Sequence, residues 1–293
     1  MTTSRATYQL GSHQVHRIGF GAMQLPGPGV IGPPRDREQA LAVLKRAVEL
    51  GVDHIDTAQF YGPDVANELI REALHPYPAE LALVSKVGAR RDREGNWIAA
   101  QQPDELRADI EENLRELGVQ QLAAVNLRIH AGDPNAVGEV DHDLFDRQLT
   151  AMIAARDEGL IAGIGLSSIS PEHLRIALDR TEIVTVQNAY NLADRTSQPV
   201  LDLCIEHDIA FVPFFPLGSA FVSDNPVLGN PAVKQAATDL DRTPAQIALA
   251  WTLSVAPNVL LIPGTSSIQH LEENLAVAEI ELPEHSLSAI SAR

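Results

Sequence analysis

Four chemically capable residues stand where apolar runs stop. Asp56 ends VDHI, Tyr61 follows five residues later ahead of Gly62-Pro63, Lys86 follows LALVS, and His130 follows VNLRI. Taken singly each has an ordinary explanation: a turn-capping Asp, a loop-packing Tyr, a Lys reaching outward, a satisfied core His. Taken together they form a device for delivering a proton. A free phenol titrates near ~10, too high for efficient donation to a carbonyl at neutral pH. An ammonium about 4 Å away, at an effective dielectric of ~20, favours the phenolate by roughly 4 kcal/mol and makes the phenol a better acid. Tyr61 is then the general acid, Lys86 its cationic neighbour, Asp56 the group that holds Lys86 charged and in place, and His130 a donor to the substrate oxygen. The set contains no nucleophile. A carbonyl facing it needs a hydride, and a nicotinamide is the natural source.

Something must bring the four to one place. The chain alternates two textures. Short, nearly continuous apolar runs (RIGF, VDHI, LALVS, LAAVNLRI, IAGIGL, EIVTVQ, IAFVPFF and VLLIPG) suit parallel strands buried on both faces. Between them lie amphipathic stretches such as REQALAVLKRAVELG, in which Ala40, Leu44, Ala47 and Val48 share a face and Gly51 marks the C-terminal end. Similar stretches fill 103–118, 144–159, 171–179, 197–207 and 243–255, with Pro103 and Pro244 at helix starts. Eight strand-like runs alternating with helices, with no linker or low-complexity tract across 1–293, predict one α/β domain. Its architecture would be a closed (β/α)₈ TIM barrel. An N-terminal hairpin turning at Gly11-Ser12 would close the barrel bottom. In such a barrel Asp56, Lys86, His130, Ser167, Gln187, Phe214 and Gly264 all stand at strand ends on the C-terminal rim, where barrel active sites lie.

Composition removes other classes. Of 293 residues, 39 are acidic and 22 are Lys or Arg, a formal charge of −17. Nucleic acid and anionic membrane surfaces select a basic face and are therefore poor partners. Cys204 is the only cysteine, so no intrachain disulfide forms and a reducing, cytoplasmic setting is expected. The N-terminus lacks the apolar stretch of a signal peptide, and no apolar run is long enough to span a bilayer. Oligomeric state is left open.

The motifs DTAQFYG, LVSKVG, VNLRIH, GLSS, VQNAYN, VPFFPLG and IPGTSSIQHLEEN, in that order from Gly19 to Asn274, resemble the successive signatures of the aldo-keto reductase superfamily. The resemblance implies a (β/α)₈ barrel that reduces aldehydes or ketones with a nicotinamide cofactor and no metal. It makes Tyr61 the proton donor, Asp56 and Lys86 its partners, and His130 the substrate-orienting residue. It also assigns a cofactor shell. Ser167, Ser168 and Gln187 would hydrogen-bond the nicotinamide carboxamide, and Asp56 would also contact the cofactor. Phe214 would stack on the nicotinamide ring, where many relatives carry Tyr. The run Phe215, Pro216, Leu217, Gly218 would approach the pyrophosphate, although Pro216 has no N–H to offer. Gly264, Thr265, Ser266 and Ser267 would meet the adenosine phosphate, and Glu273 and Asn274 the adenine.

One departure from the pattern concerns the 2′-phosphate of NADPH. Many relatives place Lys at the position of Gly264 and Arg at that of His270, and Glu272 and Glu273 add negative charge nearby. NADPH remains the expectation, with Thr265, Ser266, Ser267 and His270 as binders, and NADH is the alternative. GFGAMQ begins like a dinucleotide fingerprint but lacks the third glycine; it is taken as the first barrel loop, where Gly21 lets the cofactor approach and Met23 lines the site. VDHD at 140–143 is taken as a solvated loop, not a metal site. Arg128, two residues before His130, points inward, either to an ion pair or to substrate. Phe60 and Trp97 are candidate apolar walls of the substrate pocket. The Gly/Pro-rich first loop resembles the bacterial pyridoxal reductase (pyridoxine 4-dehydrogenase) branch, which implies a small-molecule aromatic aldehyde as substrate. Two other readings remain open: a cofactor-sensing binding protein on the same fold, and a Schiff-base lyase using Lys86.

Overall fold

The structure, a computed structural model, describes residues 6–129, 140–218 and 225–292. It opens with a hairpin of β1 (Thr7–Leu10) and β2 (His13–His16), paired antiparallel with Leu10 opposite His13. The barrel follows in chain order: β3 (Phe20–Gly21), α1 (Arg37–Glu49), β4 (His54–Asp56), α2 (Val65–Leu74) and β5 (Ala82–Val87). A second hairpin, β6 (Ala89–Arg91) and β7 (Trp97–Ala99), precedes α3 (Pro103–Leu117) and β8 (Ala124–Arg128). Then come α4 (His142–Asp157), β9 (Ile164–Ser167), α5 (Pro171–Leu178), β10 (Thr185–Gln187), α6 (Gln198–Glu206) and β11 (Ala210–Phe211). The chain ends with α7 (Pro231–Asp239), α8 (Pro244–Ser254), α9 (Ile268–Leu275) and α10 (Glu284–Ser291).

Seven strands form one parallel sheet in the order β11-β10-β9-β8-β5-β4-β3. The segment 259–261 joins its two edges. Leu260 N–H donates to Phe211 O at 2.9 Å on one side, and Gly19 N–H donates to Leu261 O at 2.8 Å on the other. With that eighth segment the barrel is closed, and a closed barrel leaves no strand edge unpaired. Helices α1 and α9 pack against each other and complete the outer ring.

The first hairpin sits where expected. Leu10 and Val15 pack with Ala82, Val84, Ala123, Ala124, Ala210, Val212 and Leu260, residues of the lower strand segments. Small alanines at the strand starts leave the room that Leu10 fills; fully burying a leucine is worth ~1.5–3 kcal/mol. Local chemistry sets the helices. In α1, Ala40, Val43, Leu44 and Ala47 are buried, and the Asp36 side chain accepts from Gln39 N–H at the start. Thr243 and Gln246 form a reciprocal capping box on α8.

Some expectations need correction. The hairpin β6-β7 has no counterpart among the strands and helices read from the sequence. Its strands are too short for a period-2 pattern to show, and side chains from elsewhere hold it. Helices α7 and α10 were not anticipated, because PAVKQAATD and EHSLSAIS are short and bury only small residues beside one Val and one Ile. VDHD is not a plain loop: Asp141 accepts from Leu144 N–H as the N-cap of α4, and His142 and Asp143 are its first turn. Among the described residues no helix is long and apolar enough to cross a membrane.

Candidate active site

Parallel register carries Asp56 and Lys86 to the same rim. Ala82, Val84 and Lys86 alternate inward on β5, and β4 pairs with β5 through Asp56 opposite Val84. The Lys86 ammonium donates to Asp56 Oδ1 and, at 3.1 Å, to the Thr57 carbonyl. Both charged side chains are buried. Burial pushes the Lys86 amine down, but Asp56 and Tyr61 outweigh it and the net direction is up. The ammonium therefore persists at neutral pH. Tyr61, at the turn beyond β4, brings its ring centroid within 4.9 Å of Lys86 Nζ, close enough to act on the ammonium together with Asp56. Three of the four residues read as a proton-delivery set thus meet at one point. The fourth, His130, lies outside the described residues.

Beside this group stand the side chains expected to meet a nicotinamide. Gln187 donates from Nε2 to Asp56 Oδ2 at 2.6 Å, which fixes its amide and turns Oε1 away. That Oε1, Ser167 Oγ and Ser168 Oγ are buried without a hydrogen-bond partner among the described residues. Buried polar atoms are normally satisfied. Three orphans converging at adjacent strand ends therefore fit a ligand that offers both N–H donors and a carbonyl, as a carboxamide does. Ser168 also holds a left-handed φ of 56°, and Phe215 one of 56°. Such backbone is strained for a residue with a Cβ and concentrates at functional sites. Phe214, at the rim after β11, presents a half-buried ring with Phe215 edge-on at 5.4 Å. Asn191, which sequence reasoning did not single out, donates to Phe215 O at 3.0 Å and holds this turn.

The two glycines of the shell have a clear structural cause. A Cβ on Gly264 would run into the Gly21 carbonyl oxygen, and a Cβ on Gly21 into Ile262 O. Backbones touch here because the first and eighth barrel segments close on each other, so a side chain at 264 has no room. Met23 follows in a 3₁₀ turn and is half-buried. At the start of α9, Ser267 Oγ accepts from His270 N–H and Thr265 Oγ1 from Ser267 N–H. Ser267 and Asn274 are part-exposed, and Ser266 and His270 are exposed. Glu273 is bound along the helix by Gln269. Glu272 turns to α1 and pairs with Arg46 at 2.8 Å, so its charge is offset.

On the opposite flank, Phe60 packs edge-on against Tyr61 at 5.3 Å and against Trp97 at 5.1 Å between ring centroids. Hairpin β6-β7 is what carries Trp97 to the rim. Arg91 lies 3.7 Å over the Trp97 ring, and Arg90 Nε binds the buried Asp109 of α3 at 2.7 Å. The Arg128 guanidinium is buried 5.9 Å from the Trp97 ring and 5.8 Å from the Phe214 ring. It does point into the mouth, as its place on β8 predicts.

Behind the rim, α3 contributes polar residues that were missed. Asp109, Asn113 and Glu116 lie among the buried Leu106, Ile110, Leu114 and Leu117 of that helix. Polar residues set into an apolar stripe were the available signal. Asn67 on α2 donates to Asn113 Oδ1 at 3.0 Å and to Glu116 Oε2 at 2.9 Å, and accepts from Thr57 Oγ1 at 2.8 Å. Burial pushes the Glu116 carboxyl up to about 8; the Asn67 hydrogen bond opposes this and the neighbouring Asp64 adds to it. A carboxyl held protonated in the fold, but ionised when unfolded, makes stability fall as pH rises from about 4.5 to about 8, after which it levels off. Glu116→Gln keeps an acceptor for Asn67 and adds donors toward Asp64. The variant should exceed the parent by at least about 1 kcal/mol at pH ~8.5, or ~2–4 °C in Tm, with the two curves converging near pH ~4.5. Parallel thermal melts across that range check it; coincident curves would mean that Asp64 and Glu116 share no proton.

Comparison with known proteins follows the same lines. The chain is 46% identical over 287 residues to pyridoxine 4-dehydrogenase of Escherichia coli K12, covering 98% of each chain. It is 39% identical to an uncharacterized oxidoreductase of Schizosaccharomyces pombe, over 94% of this chain and 86% of that one. Among solved structures, an aldo/keto reductase of Klebsiella pneumoniae in complex with NADP and acetate superposes with a TM-score of 0.79 at 26% identity, covering 98% of this chain and 94% of that one. A Klebsiella pneumoniae aldo-keto reductase in complex with NADPH gives 0.80 at 25% over the same shares. The profile of the aldo/keto reductase family matches residues 17–292. A match over that span leaves no part of the barrel or its rim unaccounted for, and the chain belongs to the aldo/keto reductase family.

Proposed function

We propose that this protein is an NADPH-dependent reductase of aromatic aldehydes, and that pyridoxal, reduced to pyridoxine, is its substrate. The observation that carries the reading is the buried Asp56–Lys86–Tyr61 set standing next to three orphaned acceptor and hydroxyl groups at one rim. Ser167, Ser168 and Gln187 would hold the nicotinamide carboxamide and Phe214 would face its ring. The turn 215–218 and the residues 264–267, His270, Glu273 and Asn274 would take the rest of the dinucleotide. When bound, the nicotinamide supplies the hydride.

This chain's residues do the remainder. Tyr61 gives its hydroxyl proton to the carbonyl oxygen as that oxygen gains charge, and Lys86 stabilises the phenolate left behind. Asp56 keeps Lys86 ionised and, through Gln187, ties the acid to the carboxamide site. His130 would orient the carbonyl oxygen. Phe60 and Trp97 would flank an aromatic ring, while Arg128 would answer an ionised or acceptor group on it. The similarity to pyridoxine 4-dehydrogenase across nearly the whole chain supports this substrate class. The complexes of the two bacterial relatives support NADP(H). Arg46 beside Glu272 offsets part of the negative charge that would oppose a 2′-phosphate.

A lysine held as an ammonium is a poor Schiff-base nucleophile, so the direction of the Lys86 shift disfavours a lyase. An intact acid set likewise disfavours a purely sensory role. Cys204, the lone cysteine, is buried and its thiol pushed up to about 12 by burial. An unreactive thiol without a partner is in keeping with a cytoplasmic setting.

Steady-state NADPH and NADH oxidation with pyridoxal, benzaldehyde and short aliphatic aldehydes tests the proposal. The expected result is kcat/KM for pyridoxal at least ~10-fold above the aliphatic aldehydes and a clear preference for NADPH. Equal turnover across the panel would remove the substrate assignment, and equal use of both cofactors would remove the NADPH preference.

A further inference from the structure

Behind Asp56, Tyr61 and Lys86 lies a cluster of neutral polar side chains with one hub. Asn113 of α3 is fully buried. Its Oδ1 accepts from Ser85 Oγ at 2.6 Å and from Asn67 Nδ2 at 3.0 Å. Its Nδ2 donates to Gln59 Oε1 at 3.1 Å and to Asp109 O at 2.8 Å. A carboxamide has two acceptor lone pairs and two donor protons, and all four are used. Such a group has one orientation, and neither a carboxylate nor a hydroxyl can make the same four bonds.

What these bonds reach is the point. Ser85 immediately precedes Lys86. Gln59 lies two residues before Tyr61. Asn67, the other partner, holds the hydroxyl of Thr57, the residue that follows Asp56 and whose carbonyl accepts from Lys86. The sheet fixes the chain only as far as Thr57, whose N–H donates to Val84 O at 2.9 Å. From there to Tyr61 the path follows a turn, with Tyr61 N–H donating to Ala58 O at 3.1 Å, and no ladder braces it.

We propose that Asn113 is a positioning residue for proton delivery: through Ser85 on one side and Gln59 and Asn67–Thr57 on the other, it fixes the separation of Tyr61 from Lys86. Asn113 touches no reacting atom. The inference rests on the reductase reading above, in which Tyr61 is the acid. A displacement of about 1 Å between acid and carbonyl can cost roughly 100-fold in rate, so a remote amide that sets this spacing acts on kcat and not on cofactor affinity.

The test is a double-mutant cycle. Asn113→Ala and Asn113→Asp are made alone and on Tyr61→Phe, with Thr57→Val as a milder variant that removes only the hydroxyl bonded to Asn67. For each, the melting temperature, the NADPH dissociation constant and kcat for pyridoxal and benzaldehyde are measured. Folded Asn113 variants should lose about 10- to 100-fold in kcat with the NADPH constant within ~3-fold of the parent. On Tyr61→Phe the same change should cost less than ~3-fold, because both substitutions act through one hydroxyl. A kcat equal to the parent's, or the full loss repeated on Tyr61→Phe, overturns the proposal, since a merely structural role would multiply. If neither Asn113 variant folds, Thr57→Val decides: a loss of roughly 5-fold that vanishes on Tyr61→Phe supports the proposal, and an unchanged kcat overturns it. Should Tyr61→Phe itself retain full kcat, the assignment of Tyr61 as the acid fails and the proposal with it, while absence of aldehyde reduction in the parent would mark failure of the reductase reading itself.

Discussion

Tyr61→Phe should lose ~10²- to 10⁴-fold in kcat for aldehyde reduction, while its NADPH dissociation constant stays within about 3-fold of the parent. The ring of residue 61 packs edge-on against Phe60 at 5.3 Å and is nearly buried. Phenylalanine keeps that packing and removes only the hydroxyl, so the fold has no reason to change. The loss corresponds to about 3–5 kcal/mol of transition-state stabilisation, the range expected when a positioned proton donor is taken away. Ground-state binding of the cofactor does not use the hydroxyl. The loss should therefore appear in kcat and kcat/KM for the aldehyde alike. Cofactor titration by fluorescence beside steady-state kinetics makes the check. A variant with near-parental turnover would mean that another group supplies the proton.

Lys86→Met should be worse for the protein as a whole. It removes the ammonium beside Tyr61 and leaves the buried Asp56 carboxylate facing the Gln187 amide alone. Breaking a buried ion pair by deleting one member costs ~3–5 kcal/mol, because the remaining charge keeps its desolvation penalty. Activity should fall by at least the ~10²-fold expected for loss of the charge that stabilises the phenolate. The sign with pH follows from the Lys86 shift. An amine raised above its unfolded value contributes stability that is fully present below ~10.4 and is lost only as pH climbs through the higher folded value. The stability that the parent gains from the Lys86 charge is therefore constant from roughly pH 6 to 9. Denaturant melts of the two proteins and kcat measured together separate the effects. A variant as stable as the parent would show that Asp56 does not depend on the ammonium.

Which features were legible in the sequence depends on the range of the forces that set them. Asp56 and Lys86 could be placed on one rim from one-dimensional information alone, because parallel strands of known polarity carry their last residues to the same end. The hairpin over the barrel bottom announced itself by Gly11-Ser12 between two short alternating runs, and α8 by Thr243-Pro244 with Gln246 at the third position. Each is a local signal. The hairpin carrying Trp97 was not legible. Asp109 of α3, nineteen residues away, holds it through Arg90, and Arg91 packs over Trp97 from across the hairpin itself. Neither tie leaves a trace in the period of the apolar residues. The partner of Glu272 was not legible for the same reason, since Arg46 lies 226 residues away.

Residue types and their order were enough to determine a closed parallel barrel and to bring Asp56, Tyr61 and Lys86 to one rim, because periodicity, capping and strand polarity act over a few residues. The tertiary structure alone decided which partners hold those residues in place. Buried hydrogen bonds such as those of Asn113 gain their strength from the exclusion of water, and water is excluded only after distant helices have closed over the strands.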